Sequence, residues 1–417
     1  MAAANGPIVD ANINRENKME TKSDTVDTIR RTASGAQAPP MSRSNAPVAL
    51  SNSQISAHPT AIVYCERNFT RIDGKTANGL VRHSQAYRIL SVIDSTYSGQ
   101  DSGLVLDDRA NQIPIFGHLE AAVAHEPVTP DTLIYGMAPS TGRLSTADRG
   151  VVLRAIQLGM NIVSGLHEYL CDDTEIASAA SDRNVTIRDI RKPKASKDMR
   201  LFDGSVADVK ALRIAVLGTD CAIGKRTTAT VLARALNAQG IKTVLVGTGQ
   251  TGLMQGAKYG IAMDAVPPQF CCGELEGAIV AASDAEQPDV ILIEGQGALS
   301  HPAFCTSAFI LRGSQPDAVI LQHAPKRAHR CDFPNMPMPT PSSEIALIEA
   351  FADTKVIGVT LNHEGMSEGE ITDTIAAQSQ QLGLPVTDAL ARPVADLLAM
   401  VTAAYPALTR RPAVATV

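Results

Sequence analysis

One stretch of this chain, residues 213–240, constrains the fold more than any other. Residues 213–217 form a short apolar run that predicts a buried strand. Gly218 then opens a loop that ends at Gly224 and Lys225, and residues 228–236 carry apolar side chains at helical spacing. A strand, a glycine loop, a lysine and a helix in this order are typical of a phosphate-binding loop. Backbone N–H groups and the helix N-terminus point at the anion, and the lysine adds a positive charge.

The spacing of this loop departs from the standard pattern. Five residues separate Gly218 from Gly224, one more than usual, and Arg226 follows the lysine where a serine or threonine normally binds magnesium. The magnesium hydroxyl is therefore shifted or absent, and we expect anion binding rather than nucleotide hydrolysis. The residues expected to hold the phosphorylated ligand are Gly218, Thr219, Asp220, Gly224, Lys225, Arg226, Thr227 and Thr228, with Gln250 from a later glycine-rich loop.

Composition excludes several classes of function. The chain has 417 residues and a formal charge of −6, which suggests two or three domains and argues against nucleic acid as the main partner. No apolar run is long enough to span a membrane, and the N-terminus lacks the core of a secretory signal. The seven scattered cysteines favour a reducing, cytoplasmic compartment. The adjacent pair Cys271 and Cys272 has no second pair at metal-ligand spacing, so we expect no metal site.

Three regions follow one another along the sequence. Residues 1–57 are rich in Ala, Asn, Ser, Thr and Pro and predict a disordered or weakly docked extension. Strands alternate with helices in residues 58–195 and again in residues 196–417. This alternation predicts an α/β protein with two doubly wound parallel sheets, whose ligands lie beyond the carboxyl ends of strands. Residues 75–79 are a weaker candidate for a second anion loop, because no strand of the right register precedes them.

Polar side chains follow several of these predicted strands. Glu294 ends an apolar run and could hold a cation, accept a proton or simply cap the next helix. His167 is an acid–base candidate because, with Glu168, it directly follows a buried strand, although a surface pair is the plainer interpretation. The remaining candidates are His301 and His323 as bases, with Lys326, Arg327 and Glu168 as binders of a substrate.

Several motifs together resemble known families. Residues 218–225 and 294–297 are similar to dethiobiotin synthetase and its P-loop relatives. Residues 165–170, 218–228, 247–252 and 294–297 together resemble the DUF1611 family. That resemblance implies a Rossmann-like N-terminal domain and a P-loop NTPase-like C-terminal domain. It also implies N-acetylation of a D-amino acid such as D-glutamate by acetyl-CoA, because some members of the family have this activity.

Three functions therefore stay open. The first is an N-acyltransferase that uses acetyl-CoA as a co-substrate and a small amino acid as its acceptor. The second is a ligase or kinase of the dethiobiotin synthetase kind, with ATP and magnesium held by Lys225, Glu294 and either Thr227 or Thr228. The third is a nucleotide-binding protein without catalytic activity. We expect a homo-oligomer in each case, because enzymes of this size often assemble symmetrically.

Overall fold

The computed structural model describes residues 58–139, 141–331 and 333–409, and the predicted extension lies outside them. The first part of the chain forms a sheet of six parallel strands. They are β1 (Thr60–Tyr64), β2 (Arg88–Ile93), β3 (Ile115–Phe116), β4 (Thr132–Tyr135), β5 (Asn161–Ser164) and β6 (Ile187–Asp189). Their order is β3-β2-β1-β4-β5-β6, which is the doubly wound order of a Rossmann-like domain.

Five helices cover this sheet. They are α1 (Lys75–His83), α2 (Ser102–Asp107), α3 (Leu119–His125), α4 (Thr146–Gln157) and α5 (Thr174–Arg183). Local sequence sets their ends: the Ser145 side chain accepts a hydrogen bond from the Asp148 N–H at the start of α4, and Asn184 ends α5 in the left-handed conformation. The suggested second anion loop at residues 75–79 is wrong, because these residues are the beginning of α1.

The second part of the chain contains a sheet of seven parallel strands and a short antiparallel hairpin. The strands are β7 (Leu212–Gly218), β8 (Thr243–Gly247), β9 (Tyr259–Gly260), β10 (Val290–Glu294), β11 (Ala318–His323), β14 (Lys355–Leu361) and β15 (Val386–Asp388), and the hairpin is β12 (His329–Arg330) with β13 (Phe333–Pro337). The order in the sheet is β15-β14-β11-β7-β10-β8-β9, so the phosphate-loop strand β7 lies between β11 and β10.

Helices pack on both faces of the second sheet. They are α6 (Lys225–Ala238), α7 (Gln250–Gln255), α8 (Pro268–Glu286), α9 (Thr306–Ser314), α10 (Pro341–Phe351), α11 (Glu368–Leu382) and α12 (Val394–Ala404). The central strand β7 is buried from Ile214 onward, as expected for a parallel strand covered on both sides. The predicted fold class, two doubly wound α/β domains, is confirmed. In the described part of the chain, every helix is too short or too polar to cross a membrane.

Helix α1 of the first domain packs against α7 of the second. The hydroxyl groups of Thr76 and Thr251 lie 2.8 Å apart. The Gln255 side chain donates to the Gly79 carbonyl, and the Gln85 N–H donates to the Gln255 carbonyl at 2.7 Å. Because α7 directly follows β8, this contact brings the Rossmann-like domain to the edge of the second sheet where its strands end.

Candidate functional site

The loop between β7 and α6 has the open conformation of an anion cradle. Ala222 and Gly224 both have positive φ angles, of 50° and 101°, which turn successive N–H groups toward one side. Gly218 suits the strand end, because a Cβ atom there would lie 3.0 Å from the backbone carbonyl oxygen of Gln322 and 2.8 Å from Ile223 Cδ1. The N–H of Thr219 donates to the carbonyl of Gln322 in β11 at 3.0 Å, so the base of the loop is tied to the sheet.

Two arginines that follow β11 brace this loop from outside. Arg327 donates to the carbonyl groups of Cys221 at 3.2 Å and Ala222 at 3.0 Å. Arg330, which is buried, donates to the Thr219 carbonyl at 3.2 Å. Carbonyl groups held outward in this way leave the loop N–H groups facing the cradle. Arg327, predicted to bind substrate, therefore supports the loop in this structure.

Lys326, the other predicted substrate binder of this segment, points away from the loop. Its ammonium group pairs with the Glu370 carboxylate, and both side chains are nearly half exposed. An ion pair this exposed is worth little to stability, because water screens it. The geometry gives Lys326 no part in the phosphate loop.

The loop lysine is buried within the loop itself. The ammonium group of Lys225 donates to the carbonyl of Asp220, and only 5% of the residue is exposed. Burial lowers the pKa of Lys225, although the neighbouring Cys221 and Asp220 act in the opposite direction. An anion in the cradle would stabilise the charged lysine and offer it a better partner than one carbonyl group.

Asp220 and His301 form a buried polar pair behind the loop. One Asp220 oxygen accepts from the Cys331 N–H at 2.8 Å, and the other lies 3.7 Å from His301 Nε2 and 4.0 Å from Arg330 Nη1. His301 Nδ1 accepts from the Ala303 N–H at 3.2 Å, so in the neutral ring Nε2 carries the hydrogen. Nδ1 of the predicted base His301 is therefore engaged by a backbone N–H, and its Nε2 lies on the side of Asp220.

The tautomer of the His301 ring also determines whether these residues can bind a metal ion. Donor atoms of Asp220, Cys221 and His301 lie within 4.8 Å of one another, which is close enough for a shared ion. A histidine ligand coordinates through a nitrogen lone pair and usually donates its other N–H to a second-shell acceptor. His301 has the opposite arrangement, because its Nδ1 accepts from a backbone N–H and its Nε2, 3.7 Å from an Asp220 oxygen, then carries the hydrogen. In this tautomer neither nitrogen of His301 offers a lone pair to a shared ion, so the three residues do not fit a metal site.

A chain of hydroxyl and amide groups connects the loop to β11 and β14. The hydroxyl group of Thr228 donates to the Gln322 side chain at 2.6 Å, and Thr360 donates to the same oxygen. His323 Nδ1 lies 2.9 Å from the Thr219 hydroxyl. Burial lowers the pKa of His323 to about 4, so the ring is neutral at physiological pH. Thr228 therefore has a structural partner, whereas Thr227 lies half-buried in the first turn of α6.

Glu294 lies at the end of β10, against α7. Its carboxylate accepts from the Thr248 N–H at 3.1 Å, and its Oε2 would lie 2.3 Å from a Cβ atom at Gly252. Burial raises the pKa of Glu294, and the Arg226 guanidinium is the charge that most strongly opposes this rise. Glu294 is thus a buried carboxylate that interacts electrostatically with Arg226, the cation after the loop lysine.

The run from Gly165 to Glu168 meets the second domain at α7. A Cβ atom at Gly165 would lie 2.9 Å from Gln250 Cγ, so Gln250, predicted to bind cofactor, packs against the end of β5. The Glu168 carboxylate accepts from the Leu144 N–H at 2.8 Å, which stabilises the preceding turn. His167 stays accessible, with 52% of its side chain exposed.

His167 also has an acidic neighbour from the other domain. Its Nε2 lies 3.8 Å from the Asp264 carboxylate, which Arg191 binds at 2.8 Å. Burial and the charge of Arg191 lower the pKa of His167, while Asp264 raises it. Among the predicted bases, His167 is the one that is accessible in the described structure, since Glu294, His301 and His323 are buried.

The domain order and loop geometry agree with comparisons to known proteins. Residues 95–193 match the Rossmann-like domain of unknown function DUF1611_N, and residues 200–398 match the P-loop domain of unknown function DUF1611_C. The chain belongs to the DUF1611 family. The resemblance inferred from the four sequence motifs is thereby confirmed.

Two curated relatives of this DUF1611 protein are named D-glutamate N-acetyltransferase. The one from Pseudoalteromonas sp. is 34% identical over 274 residues, which are 64% of this chain and 80% of that protein. The one from Tritonibacter scottomollicae is 32% identical over 263 residues, 62% of this chain and 77% of that protein. The crystal structure of a DUF1611 family protein from Anabaena variabilis matches with a TM-score of 0.76 and 30% identity, covering 83% of this chain and 99% of that one.

Some residues that shape this DUF1611 site were not singled out in the sequence. Arg191 and Asp264 are 73 residues apart and have no motif around them, yet they pair beside His167. Gly79, predicted only as the end of a second anion loop, lies against Arg226 from the other domain. Arg330 follows the predicted binders Lys326 and Arg327 closely in the sequence, but nothing in this basic segment separates residues that support the loop from solvated ones.

Proposed function

We propose that this protein transfers the acetyl group of acetyl-CoA to the amine of a small amino acid of the D-glutamate type. The observation that carries the proposal is the loop between β7 and α6, which combines a backbone cradle with Lys225 and Arg226 and has no hydroxyl group directly after the lysine. Such a loop suits the pyrophosphate or 3′-phosphate of CoA, which must be held but not hydrolysed. The names of the two curated relatives support the same reaction.

The chemistry requires an acceptor for one proton. The substrate amine is an ammonium ion at neutral pH, and it must lose a proton before its nitrogen can attack the thioester carbon. The new C–N bond forms as the C–S bond breaks, and the CoA sulfur leaves as a thiolate that takes up a proton. The phosphate loop contributes by fixing the carrier, so that its thioester meets the amine in a single orientation.

We assign the proton-accepting role to His167. Its pKa is lowered, so it is neutral and able to accept a proton at pH 7, and half of its side chain is exposed. The Asp264 carboxylate, 3.8 Å from Nε2, would stabilise the imidazolium that forms. Glu294 is a poorer choice, because its carboxylate is buried against Gly252 and interacts electrostatically with Arg226.

The test is release of free thiol from acetyl-CoA with a panel of D- and L-amino acids. We expect release with an acidic D-amino acid and little with its L-enantiomer. His167→Asn should slow release by about 100-fold or more while leaving acetyl-CoA affinity unchanged, because only the proton transfer is lost. No release with any amino acid, together with stabilisation by ATP and magnesium but not by acetyl-CoA, would reject the transferase in favour of an ATP-dependent enzyme.

A further inference from the structure

Phosphate loops that bind nucleoside triphosphates normally work with magnesium. The ion is held by the hydroxyl group of the residue after the loop lysine, and it neutralises phosphate charge together with that lysine. The residue at this position is Arg226, in the first turn of α6. The nearby hydroxyl group of Thr228 donates to Gln322. A cationic side chain at the position of the metal-binding hydroxyl does not fit a magnesium ion.

The guanidinium group of Arg226 has a defined location. It reaches from the P-loop domain to α1 of the Rossmann-like domain, where a Cβ atom at Gly79 would lie 2.5 Å from Nη1 and 2.8 Å from Nη2. Any side chain at position 79 would collide with the guanidinium group. Glycine at this position of α1 therefore leaves space for a cation that comes from the other domain.

A carboxylate is the strongest charged neighbour of Arg226. Glu294, at the end of the neighbouring strand β10, is the charged group that acts most strongly on Arg226, and Lys225 also acts on Glu294. In the described parts of the chain, no hydrogen bond or ion pair engages the Arg226 guanidinium group. Its N–H groups thus have hydrogen-bonding capacity left for an anion, while the Glu294 carboxylate acts on the guanidinium charge at longer range.

We propose that Arg226 is a built-in cation that replaces magnesium in this phosphate site. Arg226 and Lys225 together neutralise the phosphate groups of the ligand, Glu294 balances the guanidinium charge, and Gly79 gives it room. The site then binds phosphate esters and diphosphates without a divalent ion. This inference rests on the proposed function only in taking a phosphate-bearing carrier as the ligand.

Inorganic pyrophosphate is the probe, because it tests the phosphate site without any acyl transfer. Its affinity for the full-length protein is measured by calorimetry in excess EDTA and again in excess magnesium. The wild type should bind equally well, within about twofold, under both conditions. Arg226→Ala should bind about tenfold or more weakly in EDTA, since a charge-assisted hydrogen-bond donor is lost. Arg226→Thr should bind weakly in EDTA and recover at least about fivefold with magnesium, because it restores the metal-binding hydroxyl group.

Two further variants keep the result interpretable. Arg234→Ala removes the same charge two turns later on α6 and should stay within about twofold of the wild type. Gly79→Ala keeps Arg226 but displaces its guanidinium group, so the affinity of this variant for pyrophosphate should fall about as far as that of Arg226→Ala. If Arg226→Ala does not fold, Gly79→Ala is the variant that tests the proposal. Wild-type binding that disappears in EDTA would overturn the proposal. Unchanged affinity in folded Arg226→Ala would do the same, as would unchanged affinity in Gly79→Ala where Arg226→Ala does not fold.

The result of the pyrophosphate-binding test does not depend on whether the protein catalyses the proposed acetyl transfer. Metal-free pyrophosphate binding that depends on Arg226, in a protein that releases no thiol from acetyl-CoA, would leave this inference standing and reject the proposed function. Thiol release that requires magnesium and survives Arg226→Ala would do the reverse.

Discussion

Replacing Gly252 by alanine tests the packing of Glu294 against α7. In an exposed helix this change usually stabilises a protein by about 0.5–1 kcal/mol, because glycine loses more backbone entropy on folding. At Gly252, however, the new Cβ atom would lie 2.3 Å from Glu294 Oε2 and 3.2 Å from its Cδ. Overpacking of this kind costs about 1–3 kcal/mol. A contact as short as 2.3 Å favours a cost of about 2–2.5 kcal/mol, so the two effects together predict a net loss of about 1–2 kcal/mol.

Thermal and urea unfolding of Gly252→Ala measure this loss. For a domain of this size it corresponds to a fall of roughly 2–8 °C in Tm. Gly150→Ala is the matched control, because Gly150 lies in the middle of α4 and a Cβ atom there would have no neighbour within 4 Å, so this variant should gain about 0.5–1 kcal/mol. If both variants gained stability alike, the carboxylate of Glu294 would not lie against α7, and the site geometry described above would be wrong there.

Four other substitutions test the surroundings of the loop. Arg327→Ala removes two hydrogen bonds to carbonyl groups of the loop and should weaken pyrophosphate binding about tenfold, ~1.4 kcal/mol by calorimetry. Lys326→Ala should leave this affinity unchanged. His323 has a pKa lowered to about 4 from the ordinary 6.5, so only the unfolded chain binds its proton as the pH falls through this range. Between pH 7.5 and 4.5, the free energy of unfolding of the wild type should therefore fall by roughly 2.5 kcal/mol more than that of His323→Asn, as measured by urea unfolding. Equal losses in the two proteins would contradict the burial of a neutral ring. Asp220→Asn leaves the buried Arg330 without its nearby carboxylate and should lower the free energy of unfolding by roughly 2 kcal/mol, whereas an unchanged value would show that this pair contributes nothing.

The sequence predicts features that depend on local pattern. The strand, loop and helix around Lys225 are contiguous in the chain, and the alternation of strands and helices is enough to predict two parallel sheets. The fold class and the family were predictable because they depend on these local patterns, and both predictions are confirmed. The hairpin of β12 and β13 carried no such signal, because its short strands have neither a clear alternation nor a long apolar run.

The directions of side chains at strand ends could not be predicted. Glu168 and His167 are adjacent in the sequence, yet Glu168 accepts a backbone N–H from the preceding turn while His167 is accessible at the domain contact. The position of the His167 side chain depends on Gly142, because a Cβ atom at residue 142 would lie 2.9 Å from Cδ2 of the His167 ring. Likewise, nothing near Arg226 in the sequence points to Gly79, which lies 147 positions earlier on another domain.

The most direct test of our account is a structure of this protein in complex with acetyl-CoA. We predict a phosphate group of the carrier within about 3 Å of the loop N–H groups and of the ammonium group of Lys225, with the thioester directed toward His167. A complex with acetyl-CoA bound elsewhere and no phosphate in the loop between β7 and α6 would contradict it.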